Sequence, residues 1–415
     1  MAIDRKEKNM DKNTVFTTRN IQISLFLIVS VLFFISISAF DPYITPYATQ
    51  LGIPVSQIGI ILSVAGFSSI IVRFPIGIFA EMFSKKKIMI QMGLLLTLIV
   101  WLIVFLFPSV SSLTVGKLAD GITGATWVLY TVLFSMYFKD EDIPKAIGIV
   151  QLASTIGPFI GMNIGGNVSE LLGYQYSFII AVLAAALGIV VLFFIKEPVV
   201  SSAVKAGKAW QLGKEQLFDK NVWILGLFAS IAMMTTYAGR DLLTPVMAGD
   251  LGGGAIALTI LPNLFMIFNS ISSLLSGTFF PKRLGLVKTV TIGALGQGAI
   301  SIAMPFSSNL MTLYILQSLG GFFFGMTVTI LLAMALMGVS HDAQTSRMGL
   351  YQSIYSIGLT IGPSISGFIL EETDLKIAYL IMGIAVIIIG FLSKKLLPAH
   401  LLESGQSQRH LPDDN

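Results

Sequence analysis

The chain has 415 residues, 54% hydrophobic and only 12% charged, with a mean hydropathy of +0.83. Soluble domains carry about 25% charged residues, so most of this chain must lie in lipid. The absence of cysteine excludes disulfides and thiolate metal sites. A net charge of +4, scattered between apolar runs, points to loops beside anionic lipid and away from nucleic acid.

Residues 1–20 are polar and mixed in charge, a tail ahead of the first apolar run, Ile21 to Ala48. That run is too long for a signal-peptide core and lacks a small-residue cleavage site, so it reads as an uncleaved span. Spans follow near 55–80, 88–107, 111–137, 146–168 and 175–195, each close to the ~20 residues that cross a bilayer as a helix. The stretch 196–220 is basic and carries Trp210, Leu212, Leu217 and Phe218, which suits a linker at the membrane surface. Six more spans lie near 221–247, 255–280, 287–306, 309–338, 347–370 and 376–397, and 398–415 form a second polar tail. Backbone polar groups in lipid must pair within each segment, so an all-α membrane protein of twelve spans is expected. Its halves are 21–195 and 221–397.

Lys85, Lys86, Lys87, Lys139, Lys145, Lys282, Arg283, Lys288, Arg347, Lys394 and Lys395 fall on the same side as both tails and the linker. The positive-inside rule therefore predicts cytoplasmic termini and a multi-pass protein of the cell membrane.

The chain is internally duplicated. Gly148 to Gly166 lies over Gly349 to Gly367 at an offset of 201, with eight of nineteen positions identical. Thr45-Pro46 matches Thr244-Pro245, Gly77 matches Gly277 and Gly121 matches Gly321, all at offsets near 200. Two parallel six-helix halves follow. Gly157, Gly161 and Gly165 recur every fourth residue on one helix face, with Gly148 about half a turn away and Gly166 beside the stripe. Gly349, Gly358, Gly362, Pro363 and Gly367 are their counterparts in the second copy, and the simpler reading of either stripe is ordinary helix packing.

Ionisable groups within the spans are costly, about 2.5–3.5 kcal/mol each on insertion scales, and each needs a reason. Asp41, Arg73, Lys117, Asp120, Arg240 and Asp241 are the candidates. Helical rise puts Asp41 and Arg240 about 30 Å from the linker-side ends of their helices, a depth that Lys117 and Asp120 share and at which solvation from the far side is the alternative. Lys117 and Asp120, three apart, can pair with each other. Arg73 lies about 12 Å inside Glu81 and can extend its stem to the near surface. The histidines, His341, His400 and His410, fall in loops or tails, so a proton relay within the membrane must use carboxylates.

Gly77, Glu81 and Lys85 to Lys87 resemble the first-loop signature of the major facilitator superfamily, with Met82-Phe83-Ser84 where Arg-x-Gly is usual. Lys117 to Gly121 is similar to its span-four motif, and Gly148 to Gly166 to the glycine motif of its twelve-span drug:proton antiporter branch, with Met162 in the usual proline place. The resemblance covers residues 20 to 397 and implies the superfamily's fold, two pseudo-symmetric six-helix halves around a cavity lined by spans 1, 4, 7 and 10. It further implies that Asp41 and Arg240 face each other across that cavity, and that Glu81 latches the N-terminus of a helix in the other half near Arg347. Spans 5 and 11 should meet the opposite half, so their glycine stripes should slide, and Gly148, on the other azimuth, should tolerate alanine better than Gly161 tolerates leucine.

The function expected is proton-coupled export of a small organic molecule by alternating access. Uptake or exchange of an organic anion is the alternative, suggested by Arg73, Lys117 and Arg240; a receptor or scaffold that keeps the fold is a third. No nucleotide-binding motif is present, so a non-enzymatic monomer without cofactor is expected, its partners a small-molecule substrate, protons and lipid.

Overall fold

Each apolar run must satisfy its own backbone hydrogen bonds in lipid, and the chain responds with helices throughout. The computed structural model describes residues 12–83, 85–198, 206–253 and 255–397. Residues 1–11 of the first predicted tail, all of the second with His400 and His410, residues 199–205 of the linker, Ser84 and Gly254 lie outside the described residues.

Span 1 is Lys12–Ser38 continued by Asp41–Gln50, span 2 is Val55–Phe83 and span 3 is Lys86–Leu106. Span 4 is Val110–Ala125 continued by Trp127–Ser135, span 5 is Ile143–Leu172 and span 6 is Ser177–Phe193. A linker helix, Ala206–Phe218, precedes span 7, which is Lys220–Ala238 continued by Thr244–Asp250. Spans 8 to 12 are Ala255–Thr278, Leu286–Ala303, Leu310–Leu336, Gln344–Glu372 and Leu375–Leu396. Eleven helices among the described residues are long and apolar enough to cross a membrane. Span 4 completes the twelve, because its break at Thr126 leaves two pieces that are each too short. The Thr126 hydroxyl bonds back to the Thr123 carbonyl at 2.7 Å, a competition that bends helices, while its methyl lies against Gly93 of span 3.

The halves repeat in detail. Span 4 is capped by Ser109 at the backbone N–H of Ser112, and span 10, two hundred residues on, by Asn309 at that of Thr312. Gly93 admits Thr126, as Gly293 admits Thr327. Spans 1 and 7 both lose regularity at corresponding places, span 1 between Ser38 and Asp41 and span 7 in a π turn over Gly239–Leu243. Prolines follow closely in each, Pro42 and Pro46 in one and Pro245 in the other, and a proline cannot donate to the preceding turn. The two irregularities deliver Asp41 and Arg240, so the spacing of Thr-Pro in the sequence marks where the helix gives way.

The two halves meet along two seams, span 2 against span 11 and span 5 against span 8. The glycines of those seams differ from the ones the sequence stripe singles out. A methyl on Gly148 would stand 2.6 Å from the Ser273 carbonyl oxygen and 2.9 Å from the Gly277 Cα of span 8. One on Gly349 would stand 2.7 Å from the Arg73 carbonyl oxygen of span 2, and one on Gly77 2.5 Å from that of Thr345 in span 11. Gly157, Gly161 and Gly165 instead face span 1 of their own half, Gly161 with Ile35 and Ser38 beyond it, and Gly166 faces Tyr43. Gly358 and Gly362 face Ser230 and Met234 of span 7, and Gly367 faces Leu242. The stripe is therefore close packing within a half, because a helix that touches two neighbours needs a bare face for each. Pro158 and Pro363 lie inside helices that continue past them.

Burial is uneven along the bundle axis. Span 11 is buried without a gap from Ala343 to Gln352, and span 10 from Phe324 to Leu336, both at the end that carries the linker helix. Towards the other end Ile156, Phe159, Ile164, Ile357, Ile361 and Phe368 of spans 5 and 11 are exposed. The bundle is thus closed on the linker side and looser on the other. The linker helix lies across the closed end against spans 2 and 11, with Ile78 packed onto Gly213.

Candidate functional site

In the first half, Lys117 of span 4 sits between two carboxylates. Its Nζ is 2.8 Å from Asp41 Oδ1 and 3.2 Å from Asp120 Oδ2. The side chains of Lys117 and Asp120 are only 8% and 5% exposed, whereas that of Asp41 is 44% exposed. The cluster therefore has one open member. Trp101 of span 3 donates its indole N–H to Asp120 Oδ1 at 2.7 Å, and Phe40 packs on that indole at a tilt of 39° with ring centres 3.9 Å apart. Lys117 Nζ also lies 5.7 Å from the centre of the Phe40 ring. The sequence expectation that Lys117 and Asp120 pair along one helix face holds, and Asp41 joins them through the break in span 1. Trp101 was not foreseen, because a tryptophan in an apolar run gives no sign that its N–H serves a carboxylate.

Asp41 and Arg240 do not pair across the bundle. Asp41 is engaged by Lys117 within its own half, and Arg240 lies 4.2 Å over the Tyr237 ring, beside a small cavity inside the second half. The cause is simple: Lys117 is one helix away from Asp41, and pairing within the half compensates the buried ammonium. The side chain of Asp241 lies outside the described residues.

The closed end is held by polar contacts that cross between halves. Glu81 of span 2, 3% exposed, accepts from the backbone N–H of Ser346 at 2.7 Å and from the Ser346 hydroxyl. Ser346 is in the first turn of span 11, where the N–H groups have no intrahelical partner and the helix dipole favours an anion. Arg347 beside it donates to Asp219 and Gln216 at the end of the linker helix and to the Ala335 carbonyl of span 10. One turn or two deeper, Arg73 donates to Ser69 of its own helix and, across the seam, to Gln352 Oε1 at 2.8 Å and Tyr355 Oη at 2.9 Å. Its acceptors among the described residues are all neutral, and it points inward to span 11 and not out to the near surface. Gln352 also donates to Thr131 of span 4 at 3.4 Å, so a single carboxamide joins three helices. Gln352 is among the eight positions that repeat, as Gln151, and the repeat was the available signal.

Lys85, Lys86 and Lys87 serve a different place. Lys85 is exposed, while the backbone N–H groups of Lys86 and Lys87 donate to Glu197 at 2.9 and 3.4 Å. Lys87 Nζ donates to the Ile195 carbonyl at 2.7 Å. These contacts cap the start of span 3 and the end of span 6 within one half, and leave the seam to Glu81.

Glu81→Gln keeps the shape and one hydrogen bond but loses the charge, and charge-assisted bonds contribute about 1.5–3 kcal/mol. The closed end is expected to open more often. Thr345, fully buried with its hydroxyl unpartnered, can be replaced by cysteine in a chain with no other thiol. Labelling of that cysteine should rise about tenfold or more in the Glu81→Gln background, since 1.4 kcal/mol is a tenfold population shift. Unchanged labelling would reduce Glu81 to a packing residue.

Twelve membrane helices in two repeated halves, with a buried ion cluster and a closed end, define the class of twelve-helix membrane transporters. More particularly, the family model of the Major Facilitator Superfamily matches residues 26–315 and 242–410, and the chain belongs to that superfamily. It is 21% identical over 370 residues to the uncharacterized MFS-type transporter YceJ of Bacillus subtilis (strain 168), covering 84% of this chain and 90% of that protein. It is 24% identical over 361 residues to the purine ribonucleoside efflux pump NepI of Escherichia coli O127:H6 (strain E2348/69 / EPEC), covering 84% and 87%. The crystal structure of the human organic anion transporter MFSD10 (TETRAN) superposes with a TM-score of 0.76 at 13% identity, over 90% of this chain and 99% of that one. The chain is a multi-pass membrane transporter of small molecules.

Proposed function

We propose that this transporter exports a small organic molecule in exchange for protons by alternating access, with the linker side cytoplasmic. The carrying observation is the cluster of one lysine between two carboxylates. With both carboxylates ionised it holds a net charge of −1, and one proton makes it neutral. Asp41, half exposed towards the looser end, is the group through which that proton enters, and Asp120 is the buried group that Lys117 and Trp101 hold in place. A proton taken up at Asp41 weakens its hold on Lys117, which frees span 4 from the broken segment of span 1. The efflux function of the NepI relative supports export, and a nucleoside is one substrate class that this likeness suggests. The basic loops on the linker side support the orientation.

In inverted membrane vesicles with an acidic lumen, uptake of adenosine or ethidium driven by the pH gradient should fall to background in Asp41→Asn and Asp120→Asn, with the protein still present in the membrane. Gradient-driven uptake equal to wild type in both variants would remove the cluster from the coupling. A second reading, exchange of an organic anion, is favoured by Arg73, whose acceptors among the described residues are all neutral. Uptake of a carboxylate substrate that needs no pH gradient and vanishes in Arg73→Gln would select it.

A further inference from the structure

The second half contains a cavity of ≈ 40 Å³ between spans 7, 8, 9, 10 and 12, its wall mostly apolar with several polar side chains. Its origin lies in the duplication. At the offset of 200 that joins Gly93 to Gly293 and Gly121 to Gly321, Trp101 corresponds to Ser301, Asp120 to Gly320 and Lys117 to Gln317. Where the first half has an indole, a carboxylate and an ammonium locked together, the second has a hydroxyl, a hydrogen and a carboxamide. Ser301, Gly320 and Gln317 all line the cavity, so the space is what the missing side chains leave.

The polar side chains in that wall are incompletely satisfied. Gln297 of span 9, 4% exposed, donates from Nε2 to the Ala232 carbonyl and to Thr236 Oγ1, both at 2.9 Å, while its Oε1 has no partner. Gln317, 3% exposed, makes no hydrogen bond among the described residues. Tyr379 Oη and Thr244 Oγ1 are 2.8 Å apart at the same cavity. Carboxamides left unpaired in a membrane helix bundle are costly unless something polar meets them. The space holds about three waters by volume. Arg240, which also lines the cavity, lies over the Tyr237 ring and has a further partner, so hydroxyls and amides are the cavity's remaining polar groups.

We propose that this cavity is a substrate subsite for one or two hydroxyl groups at a neutral end of the transported molecule, such as the ring hydroxyls of a nucleoside; the proposal rests on the transporter reading given above. A hydroxyl donates and accepts at once, and so suits the unpaired Gln297 Oε1 and the two-sided amide of Gln317. Each hydroxyl takes the place of one cavity water, with no charge to strip of solvent. The first half cannot offer the same site, because Trp101 and Asp120 fill it.

Binding of radiolabelled adenosine and of its dideoxy analogue, which lacks both ring hydroxyls, tests the assignment in purified full-length protein. Wild type should bind adenosine saturably and at least about tenfold more tightly than the analogue, since a site built to hydrogen-bond hydroxyls rejects a ligand without them. A methyl on Gly320 would meet only Ile300 at 3.7 Å and Met304 at 4.0 Å, so side chains there enter open space. Gly320→Leu, which fills the cavity, and Gln317→Met, which removes polarity at constant length, should each reduce the discrimination to about twofold or less. Gly320→Ala is the milder variant should the leucine disturb folding, and an intermediate loss is expected from it. Equal affinity of the two ligands in wild type, full discrimination in Gly320→Leu, or no adenosine binding at all would overturn the subsite. Gradient-driven ethidium uptake, measured in parallel, separates these outcomes from failure of the transporter reading itself, which would abolish that flux as well.

Discussion

Lys117→Leu is expected to abolish gradient-driven transport and to destabilise the protein measurably. Among the described residues the lysine is the one cation between Asp41 and Asp120, and its removal leaves Asp120, 5% exposed, with the Trp101 N–H as its remaining described partner. Breaking a buried ion pair by deleting one partner typically costs about 3–5 kcal/mol. The Asp41 contact adds less, because that carboxylate is 44% exposed and screened by solvent. Thermal unfolding in detergent should show a lowered midpoint for Lys117→Leu, and vesicle flux should fall more than about a hundredfold, the equivalent of some 2.7 kcal/mol. The double variant Lys117→Leu, Asp120→Leu should recover much of the midpoint, since it removes the unpaired charge, and none of the flux. Transport surviving in either variant would show that the cluster is scaffolding.

Gly148→Leu should trap the transporter open on the linker side. A side chain at this position collides with the backbone of Ser273 and Gly277 in the opposite half, and backbone atoms cannot rotate away as a flexible side chain can. The collision exists only while the two halves are closed there. Overpacking costs about 1–3 kcal/mol where neighbours can adjust, and here the cost falls on one state alone. A penalty of 1.4 kcal/mol already shifts a two-state equilibrium tenfold. Labelling of a cysteine at Thr345 should therefore rise, and flux should drop by tenfold or more, in protein that is still folded. Gly161→Leu should behave differently, because Gly161 packs on Ile35 and Ser38 of its own half and not on the opposite one. That variant should lose yield and thermal stability in place of a shifted labelling pattern. If Gly148→Leu labels and transports like wild type, the seam is not where the halves part.

Alone, the sequence determined that the chain lives in lipid, how many times it crosses, that it is two copies of one six-helix unit, and which ionisable residues fall within its apolar runs. These follow from properties carried by local composition and by repeat: twenty apolar residues have few options in a bilayer, and an offset of 200 is visible without coordinates. Partners were another matter. Glycine periodicity marked the thin faces of spans 5 and 11, yet only packing decided that Gly161 meets span 1 and Gly148 meets span 8, since a bare face accepts whichever helix arrives. Glu81 was legible as a group awaiting a helix N-terminus, and the fold supplied Ser346. Asp41 was legible as a charge needing compensation, but its choice of Lys117 over Arg240 was set by a proline-linked break in span 1 and by the low cost of pairing close at hand. The cavity beside Gln297 and Gln317 was invisible beforehand, because it consists of what Ser301 and Gly320 lack. A sequence records the side chains that are present, and space appears only when neighbouring helices fail to fill it.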